Sequence, residues 1–105
     1  MKKNLIATAI VAALASPAIA DDIDLIKGKM KHEYGLTLQV LALKNNTPRV
    51  LREVWVECRF FQADELVGKG LAAFRNVLPG QTAYDEAGTT NANVTRSDCR
   101  IESAD

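Results

Sequence analysis

Residues 54–68, VWVECRFFQADELVG, place one of the chain's two cysteines inside a hydrophobic run, between its single tryptophan and two of its three phenylalanines. In extended backbone successive side chains alternate between faces. Val54, Val56, Cys58 and Phe60 then share one face, and Trp55, Glu57, Arg59 and Phe61 the other. The first set is uniformly apolar and is expected to line a core. The second mixes two large aromatics with charge, which suits a sheet surface turned away from that core.

Working outward, apolar residues recur with a period of two and are interrupted by turn chemistry about every ten residues, which reads as a series of short strands. Ile26, Gly28 and Met30 alternate with Lys27, Lys29 and Lys31, and His32 to Gly35 forms a turn. Leu36 to Leu43 is a second strand with Leu36, Leu38 and Val40 on one face. It ends at Asn45-Asn46-Thr47-Pro48, where asparagine tolerates a left-handed turn and proline cannot continue a ladder. The third strand runs from about Val50 to Phe61, Gln62 to Glu65 turns the chain, and the fourth runs from Leu66 to Val77. Leu78-Pro79-Gly80-Gln81 has proline and glycine at favoured turn positions, Thr82 to Ala87 is a fifth strand, and a sixth spans Ala92 to about Ile101 after Gly88 to Asn91. Residues 22–30 also fit a short helix through Ile23, Ile26 and Met30, but Gly28 and the regular lysine alternation favour a strand. About six to seven strands predict an all-β, immunoglobulin-like antiparallel β-sandwich.

The N-terminal stretch MKKNLIATAIVAALASPAIA carries two lysines, an apolar run from Leu5 to Ala15, and small residues at Ala18 and Ala20. That is the plan of a secretory signal peptide, whose helix would precede the sandwich, with cleavage after Ala20. The apolar run is shorter than the ~20 residues needed to span a bilayer, so no transmembrane segment is expected after cleavage. The division is therefore 1–20 signal peptide and 21–105 a single domain, periplasmic or secreted. The mature 85 residues keep 11 basic against 13 acidic side chains, near −2. A secreted chain without a basic excess is not expected to bind nucleic acid.

A domain of that size buries only about 60–65% of its unfolded surface and benefits from a cross-link. Cys58 and Cys99 are even in number, far apart and exported, which predicts one disulfide. If the sixth strand places Cys99 and Ile101 on its inner face, the bridge takes the inter-sheet position common in sandwiches.

Residues 45–84, NNTPRVLREVWVECRFFQADELVGKGLAAFRNVLPGQTAY, resemble the FxLYD type of bacterial secreted domain. There a Phe-x-Leu-Tyr-Asp strand follows an asparagine-containing turn, and a Leu-x-Pro-Gly segment precedes the next strand. Cys58, Phe60, Phe61 and Gln62 stand at the Phe, Leu, Tyr and Asp positions, Leu66-Val67-Gly68 follows as the hairpin's return, and Leu78-Pro79-Gly80 resembles the later turn. The resemblance implies an immunoglobulin-like, extracytoplasmic interaction module and brings no catalytic residues with it.

Catalysis is not expected from the residues themselves. The mature chain has one histidine, His32, two serines, Ser97 and Ser103, and no nucleophile motif. No metal site or cofactor is expected, because His32-Glu33 offers at most two ligands and neither cysteine has a partner at C-x-x-C spacing. Two surface features remain as binding candidates. Trp55, Arg59 and Phe61 combine residue types enriched at interaction hot spots, and would meet a protein or glycan partner unless a flanking segment covers them. Lys27, Lys29 and Lys31 would either guard an exposed strand edge or touch an anionic surface. The expected function is that of a non-catalytic binding module. A small extracytoplasmic hydrolase inhibitor and a thiol- or metal-handling protein are the alternatives.

Overall fold

The computed structural model describes residues 22–105, so the expected signal peptide lies outside the described residues. Six strands follow one another: β1 (Ile23–Glu33), β2 (Leu36–Asn45), β3 (Leu51–Gln62), β4 (Glu65–Val77), β5 (Thr82–Thr89) and β6 (Arg96–Ala104). They form two three-stranded antiparallel sheets, ordered β1-β2-β5 and β4-β3-β6. In immunoglobulin terms this is an A-B-E sheet facing a C′-C-F sheet. The chain crosses between the sheets three times, at β2–β3, β4–β5 and β5–β6.

The inner face of β3 is as expected, with Val54, Val56, Cys58 and Phe60 all fully buried. They meet Leu41 and Leu43 of β2, Ala72 and Phe74 of β4, and Ala87 of β5 in one apolar cluster. Within residues 22–30 the chain is strand from Ile23 onward and not a helix through Ile23, Ile26 and Met30, since β1 pairs with β2 from Ile23. The first turn is shorter than its sequence suggests. Tyr34 and Gly35 both take positive φ, 55° and 76°, which is the two-residue turn matched to strand twist. The sixth strand starts four residues late, because Asn91 and Thr95 stabilise a loop first: the Asn93 N–H donates to Asn91 Oδ1 at 2.7 Å, and the Thr95 N–H donates to Phe61 O at 2.7 Å. Val94 is buried beneath that loop.

Two buried polar side chains hold the places where the ladders break. In β1 the pairing jumps from Lys27↔Leu41 to Met30↔Gln39, leaving a bulge at Gly28 and Lys29. The Gln39 amide, buried opposite it, donates to Gly28 O at 2.8 Å and Lys29 O at 3.2 Å, and its Oε1 accepts from the buried Ser97 hydroxyl at 2.6 Å. At the other end Asn45 is fully buried as the last residue of β2. Its amide donates to Arg49 O and Val77 O at 2.8 and 2.9 Å, and its Oδ1 accepts from the Thr47 N–H and hydroxyl. Asn45 therefore clamps the corner through its side chain and has no left-handed backbone.

On the β4–β5 side the sheets approach until backbones touch. A Cβ at Gly70 would fall inside contact distance of Gly88 O and 2.9 Å from Gly88 N. Asp85 of β5 seals the same edge by accepting from the Ala73 N–H of β4 at 3.0 Å. Gly70→Ala is expected to cost about 1–3 kcal/mol of overpacking, a fall of about 10 °C in melting temperature. Thermal unfolding followed by circular dichroism checks this, with Lys69→Ala on the exposed side as the unchanged control.

Candidate functional site

The cysteines are bonded to each other, as expected. The bond does not join the two sheets, however. Cys58 and Cys99 are directly opposed residues of neighbouring strands β3 and β6, with Cα atoms 4.0 Å apart, so the bridge lies within one sheet. The strand order is the reason: β3 and β6 stand in the C and F positions, which are adjacent, whereas the usual staple links strands B and F across the core. With both thiols committed, the thiol-handling reading loses its nucleophile.

The three lysines do not share a face. The bulge at Gly28–Lys29 adds a residue to the alternation, which flips every side chain beyond it. Lys27 turns toward the other sheet and donates to Ser97 O of β6. Lys31 points to the outer surface and pairs with Glu86 of β5 at 2.5 Å. Its hydrogen bond to Glu86 holds its pKa above the ordinary lysine value, against an opposing desolvation and with the charges of Glu86 and Glu33 adding. Lys29 is exposed in the bulge. The common basic patch needed for an anionic surface is therefore not assembled. His32 is in β1 rather than in a turn, with Nδ1 3.0 Å from the Thr37 hydroxyl, which itself donates to Asn91 O.

Trp55, Arg59 and Phe61 do share the outer face of β3, the central strand of its sheet. Trp55 lies between the small residues Ala73 of β4 and Ser103 of β6, so its ring can lie down, and Arg75 of β4 folds over it at 5.7 Å from the ring centre. Phe61 lies between Leu66 and Arg96, and the Arg96 guanidinium stacks over its ring at 4.0 Å. Both aromatics are half-buried. Among the described residues they are covered by arginines from the flanking strands, not by a loop.

Between them sits Glu57, with Leu71 on one side and Arg100 on the other. Its side chain is only 18% exposed. Arg59 Nε approaches Oε1 to 3.5 Å and Arg100 Nη2 to 3.6 Å, which gives ion pairing but no hydrogen bond. Oε1 is buried and, among the described residues, accepts from no donor. Glu57 lines a shallow cavity of about 180 Å³ together with Arg59, Phe61, Asp98, Cys99 and Arg100. Leu71, beside it, is 59% exposed. Alternation along β3 places Glu57 on this face without singling it out, and nothing in the local sequence points to Arg75, Arg96 or Arg100. An acidic residue alternating with Trp55, Arg59 and Phe61 was the available signal for Glu57. The arginines depend on register between distant strands and have no local signature.

No family model matches the chain, and no curated protein matches its sequence. Among solved structures it is similar to the 1.81 Å crystal structure of a DUF1425 family member from Shewanella sp. pv-4, with a TM-score of 0.62, 13% identity and 77% of each chain covered. At that identity the likeness is one of fold: both chains build this two-sheet β architecture. Among the described residues no helix is long and apolar enough to cross a membrane.

Proposed function

We propose that the protein is a non-catalytic binding module, exported to the periplasm or the medium, whose docking face is the outer surface of the β4-β3-β6 sheet and whose partner is another protein. The observation that carries the reading is the Glu57 carboxylate oxygen, buried between two arginines without a donor. An unsatisfied buried acceptor costs about 1–3 kcal/mol, and a partner that reaches into the cavity with an N–H or O–H removes that cost. Arg59, exposed at the rim, and the neighbouring Leu71 supply charge and apolar contact around it. A protein fits better than a glycan. Sugars stack on open aromatic faces, and Arg75 and Arg96 already occupy those of Trp55 and Phe61. The FxLYD likeness and the expected signal peptide both support an extracytoplasmic role of this kind.

The second reading, a hydrolase inhibitor, has one observation in its favour. Tyr34 stands 95% exposed at the tip of the tight β1–β2 hairpin, an aromatic presented on a rigid turn. One experiment separates the two. A photo-crosslinking amino acid is placed at Arg59, Tyr34 or Lys44, and the protein is irradiated in the intact cell envelope. Specific protein adducts at position 59, absent at 44 and lost on Leu71→Asp, are the expected result. Adducts at position 34 alone would replace the docking-face reading with the inhibitor.

A further inference from the structure

We propose that two copies of this chain join along β6, antiparallel and edge to edge about a two-fold axis at Cys99, to make one continuous six-stranded sheet.

Among the described residues β6 is an edge strand, paired with β3 on one side only. In an antiparallel ladder, directly opposed residues alternate between close pairs that exchange no backbone hydrogen bonds and wider pairs that do. Cys58 and Cys99, with Cα atoms 4.0 Å apart, are a close pair. The Cys99 N–H and C=O therefore point away from β3, to the free edge. The residues two before and two after follow the same alternation, so Ser97 and Ile101 also present their backbone groups outward. Lys27 corroborates this direction by reaching across from β1 to Ser97 O.

An unpaired edge is a template for another strand, and its side chains decide which strand fits. On the outer face of β6 the order is Arg96, Asp98, Arg100, Glu102, the last being the extra residue where the β3–β6 register shifts between Ile101 and Ser103. Within one chain these pair along the strand, Arg96 with Asp98 at 2.8 Å and Arg100 with Glu102 at 2.7 Å. The order is also complementary to its own reverse. When a second β6 runs antiparallel with Cys99 opposite Cys99, Asp98 faces Arg100 and Arg96 faces Glu102, in both directions. All four cross-strand pairs carry opposite charge, whereas moving the two-fold axis by one residue, a register slip of two, centres the pairing on Arg100 and sets Asp98 against Glu102. Backbone polarity agrees with the same register. A two-fold at Cys99 needs a pair that exchanges N–H···O bonds, and Cys99 offers both groups. The Ser97 carbonyl can accept the Ile101 N–H of the other copy on its second lone pair while keeping Lys27. The pairing would place the Glu57 cavities of the two copies on one surface.

Sedimentation velocity on the protein purified without reductant, loaded from micromolar to millimolar concentration, tests the proposal. The expected result is a monomer–dimer equilibrium that weakens as salt is raised. Asp98→Arg and Arg100→Asp each create two like-charge pairs at the symmetric interface and should each weaken self-association about tenfold. An equimolar mixture of the two variants should recover it. In the mixed dimer the arginine introduced at position 98 of one chain meets the aspartate introduced at position 100 of the other, and the second pair remains the native Asp98 with Arg100. That recovery also excludes misfolding of either variant. A wild type that stays monomeric throughout overturns the proposal, as would an edge reserved for a strand from a different protein. Association that both single variants retain unchanged overturns it too, by assigning the contact to another face.

Discussion

Replacing Cys58 and Cys99 together by alanine is expected to remove about 4 kcal/mol of stability, since the bond closes a loop of roughly 42 residues in the unfolded chain. For a domain this small, that is a large share of a total of about 5–15 kcal/mol, and the melting temperature should fall by about 20 °C. Wild type unfolded in reductant should show nearly the same loss. The remaining difference reports the small void left where the fully buried Cys58 sulfur packs against the core. A shift of only a few degrees in the double variant would mean that residual structure in the unfolded chain already brings the two positions together. Guanidinium titration followed by tryptophan fluorescence measures the effect, since Trp55 lies on the same strand as Cys58.

The second large effect is expected at Asn45. Its amide satisfies two carbonyls, Arg49 O and Val77 O, and its oxygen accepts twice from Thr47, with the Asn45 side chain itself fully buried. Asn45→Ala strands these partners at about 1–3 kcal/mol for each group left without water, and a loss of about 3–4 kcal/mol is expected. Asn45→Asp is the sharper test. It keeps the acceptor for Thr47 but turns an oxygen toward two carbonyl oxygens, so it should destabilise at least as much as alanine. If Asn45→Asp unfolded at the wild-type denaturant concentration, the side chain would not be the clamp of the β2–β3 corner.

These two positions show what could be read from the residues. The core face of β3 was legible because alternation within one strand is local: Val54, Val56, Cys58 and Phe60 are consecutive inward positions and all are buried. The cysteine pairing was legible because there are only two. Which strands it joins was not, because that depends on sheet order, a non-local property. Which face of β2 turns inward was not legible either. Leu36, Leu38 and Val40 do share a face, but it is the outer one, while Thr37 and Gln39 point inward and are buried with hydrogen-bond partners. The lysine stripe failed on a single extra residue, since a bulge changes faces without changing the pattern of letters. Of the candidate site, Trp55, Arg59 and Phe61 were visible in one strand. The guanidiniums that close over the aromatics come from β4 and β6, and only pairing register brings them there.

The disulfide within the β4-β3-β6 sheet also makes the two exposed edges of the sandwich unequal in their motions. β6 is an outer strand covalently tied to the middle one, so it cannot peel away unless β3 goes with it. β1, the outer strand of the facing sheet on the same side, has no such tie, although both edge ladders carry one irregularity. Local opening should therefore begin at β1, and amide exchange there should be fast while the amides of β3 that bond to β6 exchange only with global unfolding. One rim of the molecule can breathe while the rim that carries Arg96 to Glu102 keeps its shape.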